Sequence, residues 1–179
     1  GDLWLLERGR VRRLTDDPYV EADPAFAADG RTLVFATDRG GRMALWQMDL
    51  DSGAAAPLGA ARGKAFRPTV APDGASVAYL ETEGLGPWAE ARLHVLSLGP
   101  DRAGSELASG LIDAGRPAWQ SDSRTVAIEA RGGALRPDGG RYAARIERAA
   151  SATPVPADDE LLRSIELEWT PSAPPARYA

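Results

Sequence analysis

Short runs of alternating apolar and polar residues dominate the pattern along this chain. In each run the apolar side chains return at every second position, which is typical of a β-strand with one buried face. The clearest examples are Leu33 and Phe35, Val77 and Tyr79, and Val126 and Ile128. No helical spacing fits these segments. The alternation therefore predicts an all-β fold.

A tight-turn motif precedes each of these strands. It reads Asp29-Gly30, Asp73-Gly74 and Asp122-Ser123. Aspartate can bond to its own neighbouring backbone, and glycine tolerates the positive φ that such turns need. The motif predicts a hairpin between the first and second strand of each repeat. Ser123 departs from the pattern because it replaces the turn glycine.

The turn belongs to a repeat that fills most of the chain. Residues 24–30 recur as 68–74 and again as 117–123, which places the turn aspartates 44 and then 49 residues apart. A four-stranded propeller blade typically takes about 40–50 residues. The period therefore predicts one propeller blade for each copy.

Each repeat also contains a third and a fourth strand. Equivalent third-strand positions are held by Leu3-Trp4, Leu45-Trp46 and Leu93-His94. The fourth strand ends at a leucine that lies ten residues before the proline of the next copy, and these leucines are Leu14, Leu58 and Leu107. This constant spacing supports a chain of consecutive blades.

The repeat predicts one unit, a β-propeller fragment with three complete four-stranded blades and a partial blade at each end. The expected boundaries are 1–15 for the first partial blade, about 22–59, 66–108 and 115–156 for the complete blades, and 165–179 for the start of the next blade. The last segment is assigned from Trp169, which lies 50 residues after Trp119. Propellers usually have about four to eight blades, so we expect this chain to be part of a longer protein.

Composition narrows the classes of partner. The net charge of −5 and the pI near 5.0 argue against a phosphate-binding surface, so nucleic acid is not an expected partner. The chain has no cysteine, which excludes disulfides and thiolate chemistry within it. No stretch approaches the roughly 20 apolar residues that a membrane-spanning helix needs.

The residues that could carry chemistry are better explained as structural ones. His94 is the only histidine, and it occupies the third-strand position of Trp4 and Trp46. The acidic segment 49–53 has the spacing of a hairpin turn and lacks the length of a calcium loop. The glycine-rich segment 131–140 precedes a strand rather than a helix, which favours a long hairpin loop over a phosphate site. We therefore expect no catalytic residue, no cofactor and no metal site in this chain.

The motif Pro-x-aromatic-x-x-Asp-Gly, followed by a β-branched or aromatic strand and then by Leu-Trp, resembles the repeat of the TolB-type propellers. That repeat builds the periplasmic TolB proteins and the propeller domains attached to prolyl-oligopeptidase-like peptidases and to some bacterial amidohydrolases. The resemblance implies a propeller fold and an exported, periplasmic bacterial location, although the residues themselves leave the compartment unknown.

Two functions of different class follow from the resemblance. The first is a non-catalytic binding or scaffold module, similar to TolB, that presents a loop rim to a protein partner. The second is the N-terminal propeller of a larger hydrolase, amidohydrolase-like or prolyl-oligopeptidase-like, that gates substrate or packs on the catalytic domain. The residues of the chain leave both possibilities open.

Loop lengths indicate where binding would occur. The connections that follow the second strands, and those between blades, differ in length from copy to copy, whereas the other turns are short. Loops on a rigid scaffold commonly carry binding residues, and aromatic and arginine side chains dominate interface energetics. The candidate partner-binding residues on this rim are Tyr19, Arg39, Trp88 and Arg136.

Overall fold

A computed structural model of the chain describes residues 1–59, 62–84, 89–130, 140–148 and 162–170. These residues form fourteen β-strands, and no helix occurs among them. The prediction of an all-β fold is confirmed.

The first six strands form a strand pair and one complete blade. The N-terminal pair consists of β1 (Trp4–Glu7) and β2 (Arg10–Arg13). Blade 1 consists of β3 (Glu21–Phe26), β4 (Thr32–Thr37), β5 (Ala44–Asp49) and β6 (Ala55–Pro57).

Two further blades follow. Blade 2 consists of β7 (Lys64–Val70), β8 (Ser76–Thr82), β9 (Ala91–Ser97) and β10 (Gly104–Leu111). Blade 3 consists of β11 (Ala118–Trp119), β12 (Thr125–Ala130), β13 (Gly140–Arg148) and β14 (Leu162–Thr170).

Each blade is an antiparallel meander in which sequence neighbours are also sheet neighbours. The strand orders are β3-β4-β5-β6, β7-β8-β9-β10 and β11-β12-β13-β14, and β1 pairs with β2 alone among the described strands. Three consecutive four-stranded antiparallel sheets preceded by a strand pair are the architecture of a propeller fragment, which confirms the predicted fold class.

The segment around Trp169 differs from the expectation. We expected it to begin another blade, but β14 pairs with β13 as the fourth strand of blade 3, with Trp169 opposite Tyr142. In blades 1 and 2 the connection between the third and fourth strands is short, spanning 50–54 and 98–103, whereas in blade 3 it spans 149–161. Because this connection is longer, the fourth strand occupies the sequence positions at which the repeat period predicts a new first strand.

The hairpin turns form as predicted. Asp29 accepts hydrogen bonds from the backbone N–H groups of Arg31 and Thr32, both at 2.9 Å, and from the Thr32 hydroxyl at 2.8 Å. Gly30 takes a φ of 65°. Ser123, which replaces the turn glycine, takes a φ of 54°, and its hydroxyl accepts a hydrogen bond from the backbone N–H of Asp73 at 3.0 Å. The serine therefore links the turns of blades 2 and 3.

These turns give the first testable prediction, which concerns acid stability. Hydrogen bonds from the backbone of Thr32 and Arg31 hold the pKa of Asp29 below its ordinary value. A carboxylate whose pKa is lowered by folding stabilises the protein fully above its unfolded pKa, and this contribution is lost as the pH falls through the folded pKa. We expect an NMR titration of the Asp29 carboxyl group to show a midpoint below 3.8, the ordinary value.

The matched variant is Asp29→Asn. Both backbone N–H groups bond to Oδ1 of Asp29, so an asparagine can keep these two bonds while it removes the titration. The stability of the variant should fall less than that of the original chain between pH 5 and pH 2. An ordinary Asp29 midpoint, together with equal acid sensitivity of both chains, would contradict the prediction.

In the part of the chain that the structure describes, the core consists of three apolar clusters, one at each junction between consecutive sheets. The junction of the N-terminal pair with blade 1 buries Leu3, Leu33, Phe35, Met48 and Leu50. The junction of blades 1 and 2 buries Val34, Ala36, Leu45, Leu58, Ala65, Val77 and Leu96. The junction of blades 2 and 3 includes Leu80, Leu93, Leu111, Val126 and Ile128. Because no blade buries its faces alone, the sheets stabilise one another.

Candidate binding rim

The connections lie at two opposite ends of the sheets because successive strands run antiparallel. We call the end formed by the connections after the second strands and between blades the variable rim, and the end formed by the turns after the first and third strands the turn face. Contacts agree with this division. On the rim, Asp38 accepts a hydrogen bond from the backbone of Val20 at 2.8 Å. On the turn face, Arg31 pairs with Asp51.

In blades 1 and 2 the turn face has short turns with internal hydrogen bonds, whereas in blade 3 the connection after the third strand spans 149–161. Asp49 accepts hydrogen bonds from the backbone and the hydroxyl of Ser52, both at 2.7 Å, and these bonds lower the pKa of its carboxyl group. Gly53 takes a φ of 74° and donates its N–H to the Asp49 carbonyl. The segment 49–53 is therefore a hairpin turn, as the sequence predicted.

Arg39 lies on the variable rim in the connection between β4 and β5, and it is largely buried. Its side chain is 18% exposed and forms salt bridges with Asp17 at 2.6 Å and with Glu21 at 3.1 Å. The Glu21 side chain is 0% exposed. Arg39 thus holds together the β4–β5 connection and the segment that leads into β3.

The network continues toward the N-terminal pair. The Thr15 hydroxyl donates a hydrogen bond to Glu21 at 3.1 Å, and it accepts one from the backbone N–H of Leu3 at 2.9 Å. Both Thr15 and Glu21 are buried. A buried carboxylate needs such partners because an unpaired buried charge is costly. The network therefore fixes the position of β1 relative to blade 1.

Tyr19 is an exposed aromatic residue that lies next to this network on the variable rim. Its side of the rim includes Val20, and the two residues are 41% and 45% exposed. The Arg39 guanidinium lies 5.7 Å from the Tyr19 ring centroid and 5.3 Å from that of Trp46. The backbone N–H of Tyr19 also bonds to Asp17 at 3.1 Å. Arg39 therefore packs over the Tyr19 ring, and the tyrosine remains 41% exposed to solvent.

The other two candidates, Trp88 and Arg136, lie outside the described residues. The described ends of the connection that contains Trp88 are linked by a hydrogen bond from the Thr82 hydroxyl to the Glu90 carbonyl at 2.9 Å. Arg92 forms salt bridges with Glu83 at 3.0 Å and with Glu106 at 3.8 Å. These charged residues line an open cleft of about 530 Å³ beside the connection.

His94 lies within β9, stacked on Tyr79 with ring centroids 5.4 Å apart. Burial lowers the pKa of His94, and burial also raises the pKa of Tyr79 to about 12. Burial thus favours the neutral form of each ring. The stacked pair packs within the blade at the strand position that the repeat predicted.

A second charged cluster, which the sequence analysis missed, joins the first strands of blades 1 and 2 to the segment that leads into β11. Asp23 bonds to the backbone N–H of Arg67 at 3.0 Å and forms a salt bridge with Arg116 at 2.9 Å. Arg116 also donates to the Pro68 carbonyl at 2.9 Å, and Arg67 donates to the Ala114 carbonyl. A signal was present, because all three charged residues directly precede the proline of their repeat.

The comparisons with known proteins agree with this architecture. No family model matches the chain. A stretch of 43 residues is 40% identical to the Tol-Pal system protein TolB of Bordetella pertussis and covers 24% of this chain and 10% of that protein. The crystal structure of TolB from Acinetobacter baumannii matches 80% of this chain with a TM-score of 0.65 and 17% sequence identity. The chain has the TolB-type β-propeller fold.

TolB-type folds also occur among peptidases. A puromycin-hydrolysing peptidase of Mycobacterium tuberculosis matches 75% of this chain with a TM-score of 0.58 and 18% identity. The chain covers 35% of the Acinetobacter TolB chain and 24% of the peptidase chain, so it spans about a third and about a quarter of their lengths. Within the described ranges, no helix is long and apolar enough to cross a membrane.

Proposed function

We propose that this TolB-type propeller is a non-catalytic binding module that presents its variable rim to a protein partner. The proposal rests on one observation, which is that Tyr19 is 41% exposed on this rim while the Arg39 guanidinium packs over its ring. A side chain that is already held in position before binding loses little conformational entropy when the partner binds, so more of its contact energy contributes to affinity.

The roles of Tyr19 and Arg39 differ in this proposal. Tyr19, together with Val20, contacts the partner, whereas Arg39 acts as a positioning residue because its side chain is only 18% exposed. Trp88 and Arg136 remain proposed contacts on the same rim. An exported, periplasmic location is part of the proposal, and it is supported by the stretch that is 40% identical to a Tol-Pal system protein.

A second candidate function is supported by the peptidase likeness. The fold of this chain is similar to part of the Mycobacterium tuberculosis peptidase, with a TM-score of 0.58. This similarity is compatible with a propeller domain of a larger hydrolase. In that case the same rim would pack on a catalytic domain or gate the entry of substrate. The surface is common to both proposals, and they differ in whether its partner belongs to the same polypeptide.

The test is the replacement of Tyr19 by alanine in the whole protein that contains this chain. We expect the affinity for a partner recovered from its own cells to fall about tenfold or more, which corresponds to about 1.4 kcal/mol. The melting temperature should change little because the ring is exposed. Calorimetric titration would measure the binding. The variants Trp88→Ala and Arg136→Ala should act in the same direction.

The matched control is Asp51→Ala on the turn face, whose side chain is 61% exposed. This variant should bind as tightly as the original protein. If Asp51→Ala weakens binding as much as Tyr19→Ala does, the assignment of function to the variable rim is wrong. If the protein proves to be a hydrolase, kcat/KM replaces affinity as the measured quantity.

A further inference from the structure

The position before the repeat proline has an irregular backbone in each blade. It is held by Asp23 in blade 1, by Arg67 in blade 2 and by Arg116 just before β11. Asp23 and Arg67 take positive φ angles of 53° and 51°, which is uncommon for residues other than glycine. The pairing of the first strand with the second shifts register across this position in blades 1 and 2, and the same offset precedes β11. A bulge of this kind takes one residue out of the ladder and redirects its side chain.

A carboxylate serves this position at the junction of blades 1 and 2. Asp23 accepts a hydrogen bond from the backbone N–H of Arg67 at 3.0 Å and another from the Arg116 guanidinium at 2.9 Å. A backbone N–H that has left the strand ladder needs such an acceptor when it is partly buried. The residue before the proline of one blade thus satisfies the same position of the next blade.

The junction of blades 2 and 3 has a donor at the equivalent place. Arg67 is the residue that corresponds to Asp23, and a guanidinium can donate hydrogen bonds but cannot accept them. Its side chain extends toward the segment before β11 and donates to the Ala114 carbonyl. No described residue accepts a hydrogen bond from the backbone N–H of Arg116. This segment therefore combines an N–H without an acceptor and a neighbouring guanidinium.

The charges at this junction are also unequal. Arg67 is partly buried, and none of the salt bridges among the described residues involves it. Arg116 is paired with Asp23, so two guanidinium groups accompany one carboxylate. A partly buried charge without a counter-ion is unfavourable, and an anion bound beside Arg67 would compensate it.

We propose that the junction of blades 2 and 3 binds the carboxylate of a ligand at the place that corresponds to the Asp23 carboxylate. The ligand accepts a hydrogen bond from the Arg116 backbone N–H, as Asp23 does from Arg67, and it pairs with the Arg67 guanidinium. A carboxylate is favoured over a larger anion because the preceding junction holds a carboxylate at the equivalent place. This site is separate from Tyr19 and the variable rim, and neither proposal depends on the other.

The carboxylate belongs either to a free organic acid or to an acidic side chain of a peptide, and two probes distinguish these sources. The whole protein that contains this chain is labelled with an NMR-active nitrogen isotope in arginine alone. It is then titrated with acetate or with the blocked peptide acetyl-Gly-Asp-Gly-amide, at constant ionic strength with chloride as the exchanged ion. We expect the Arg116 amide signal and the Arg67 side-chain signal to shift together and to saturate. Tighter binding of acetate assigns a free acid, and tighter binding of the peptide assigns an acidic side chain.

Two substitutions of Arg67 test the role of its charge. Arg67→Gln should weaken binding by about tenfold or more, because a neutral amide replaces the charged partner while a hydrogen-bond donor is kept. Arg67→Asp should abolish binding, because the new carboxylate then occupies the place of the ligand. The matched control is Arg62→Gln, an exposed arginine in the connection before β7, and this variant should bind both probes as the original protein does.

Three results would overturn the proposal. The first is the absence of a saturating shift at Arg67 and Arg116 with both probes in the unmodified, folded protein. The second is equal weakening of binding by Arg67→Gln and Arg62→Gln. The third is saturation by sulfate under conditions in which neither carboxylate probe binds, because the site would then select a different anion.

Discussion

Replacing Arg39 with alanine is expected to lower the free energy of unfolding by about 3–5 kcal/mol, the usual cost of removing one partner from a buried ion pair. The loss is large because the Glu21 side chain, which is 0% exposed, would be left buried without its cationic partner. The cation–π contacts to Tyr19 and Trp46 would be lost as well. Urea denaturation of the chain followed by circular dichroism would measure the change.

The control for this prediction is Arg31→Ala. Arg31 also pairs with a carboxylate, Asp51, but the two side chains are 69% and 61% exposed. Exposed ion pairs contribute little to stability, so this variant should unfold close to the original midpoint. The double variant Arg39→Ala with Glu21→Gln should recover part of the loss because it replaces the buried carboxyl group that has lost its partner with a neutral amide. Equal midpoints for Arg39→Ala and Arg31→Ala would contradict the structural role of Arg39.

Replacing Phe35 with alanine is expected to cost about 3–5 kcal/mol, as is usual for a large aromatic residue in a core. Phe35 is 0% exposed and packs with Leu3, Leu33 and Met48 between the N-terminal pair and blade 1. The substitution would leave a cavity at the junction of two sheets. The shift in the urea midpoint at an unchanged m-value would measure the loss.

Phe26→Ala provides the matched control because it makes the same chemical change in the neighbouring strand. Phe26 is 54% exposed in this chain, so the substitution should change the free energy of unfolding by about 0.5 kcal/mol or less. A similar loss for both variants would show that the N-terminal pair does not pack on blade 1 as described.

The regular part of the fold could be predicted because local chemistry and the repeat point to the same answer. Asp29 and Gly30 specify a turn, and the alternation of Leu33 and Phe35 specifies the strand after it. Each of these features is encoded within a few neighbouring residues. Their recurrence at a blade-length period then determined the architecture.

The network around Arg39 could not be predicted in the same way. Its partners are Asp17, which lies 22 residues earlier in an irregular connection, and Glu21, which lies 18 residues earlier as the first residue of β3. An exposed loop arginine and a buried one have the same local sequence pattern. Only the packing of the N-terminal pair on blade 1 brings these charges together, so the sequence indicated a rim residue without indicating its burial.

The central proposal is that the variable rim, and not the turn face, meets the partner, and site-specific photo-cross-linking in the whole protein tests it most directly. A photoreactive amino acid is placed at Tyr19 in one variant and at Asp51 in another, and both are illuminated in the native cells. The proposal predicts a cross-link from position 19, either to a second protein or to a catalytic domain of the same polypeptide, and none from position 51. A cross-link from position 51 with none from position 19 would contradict it.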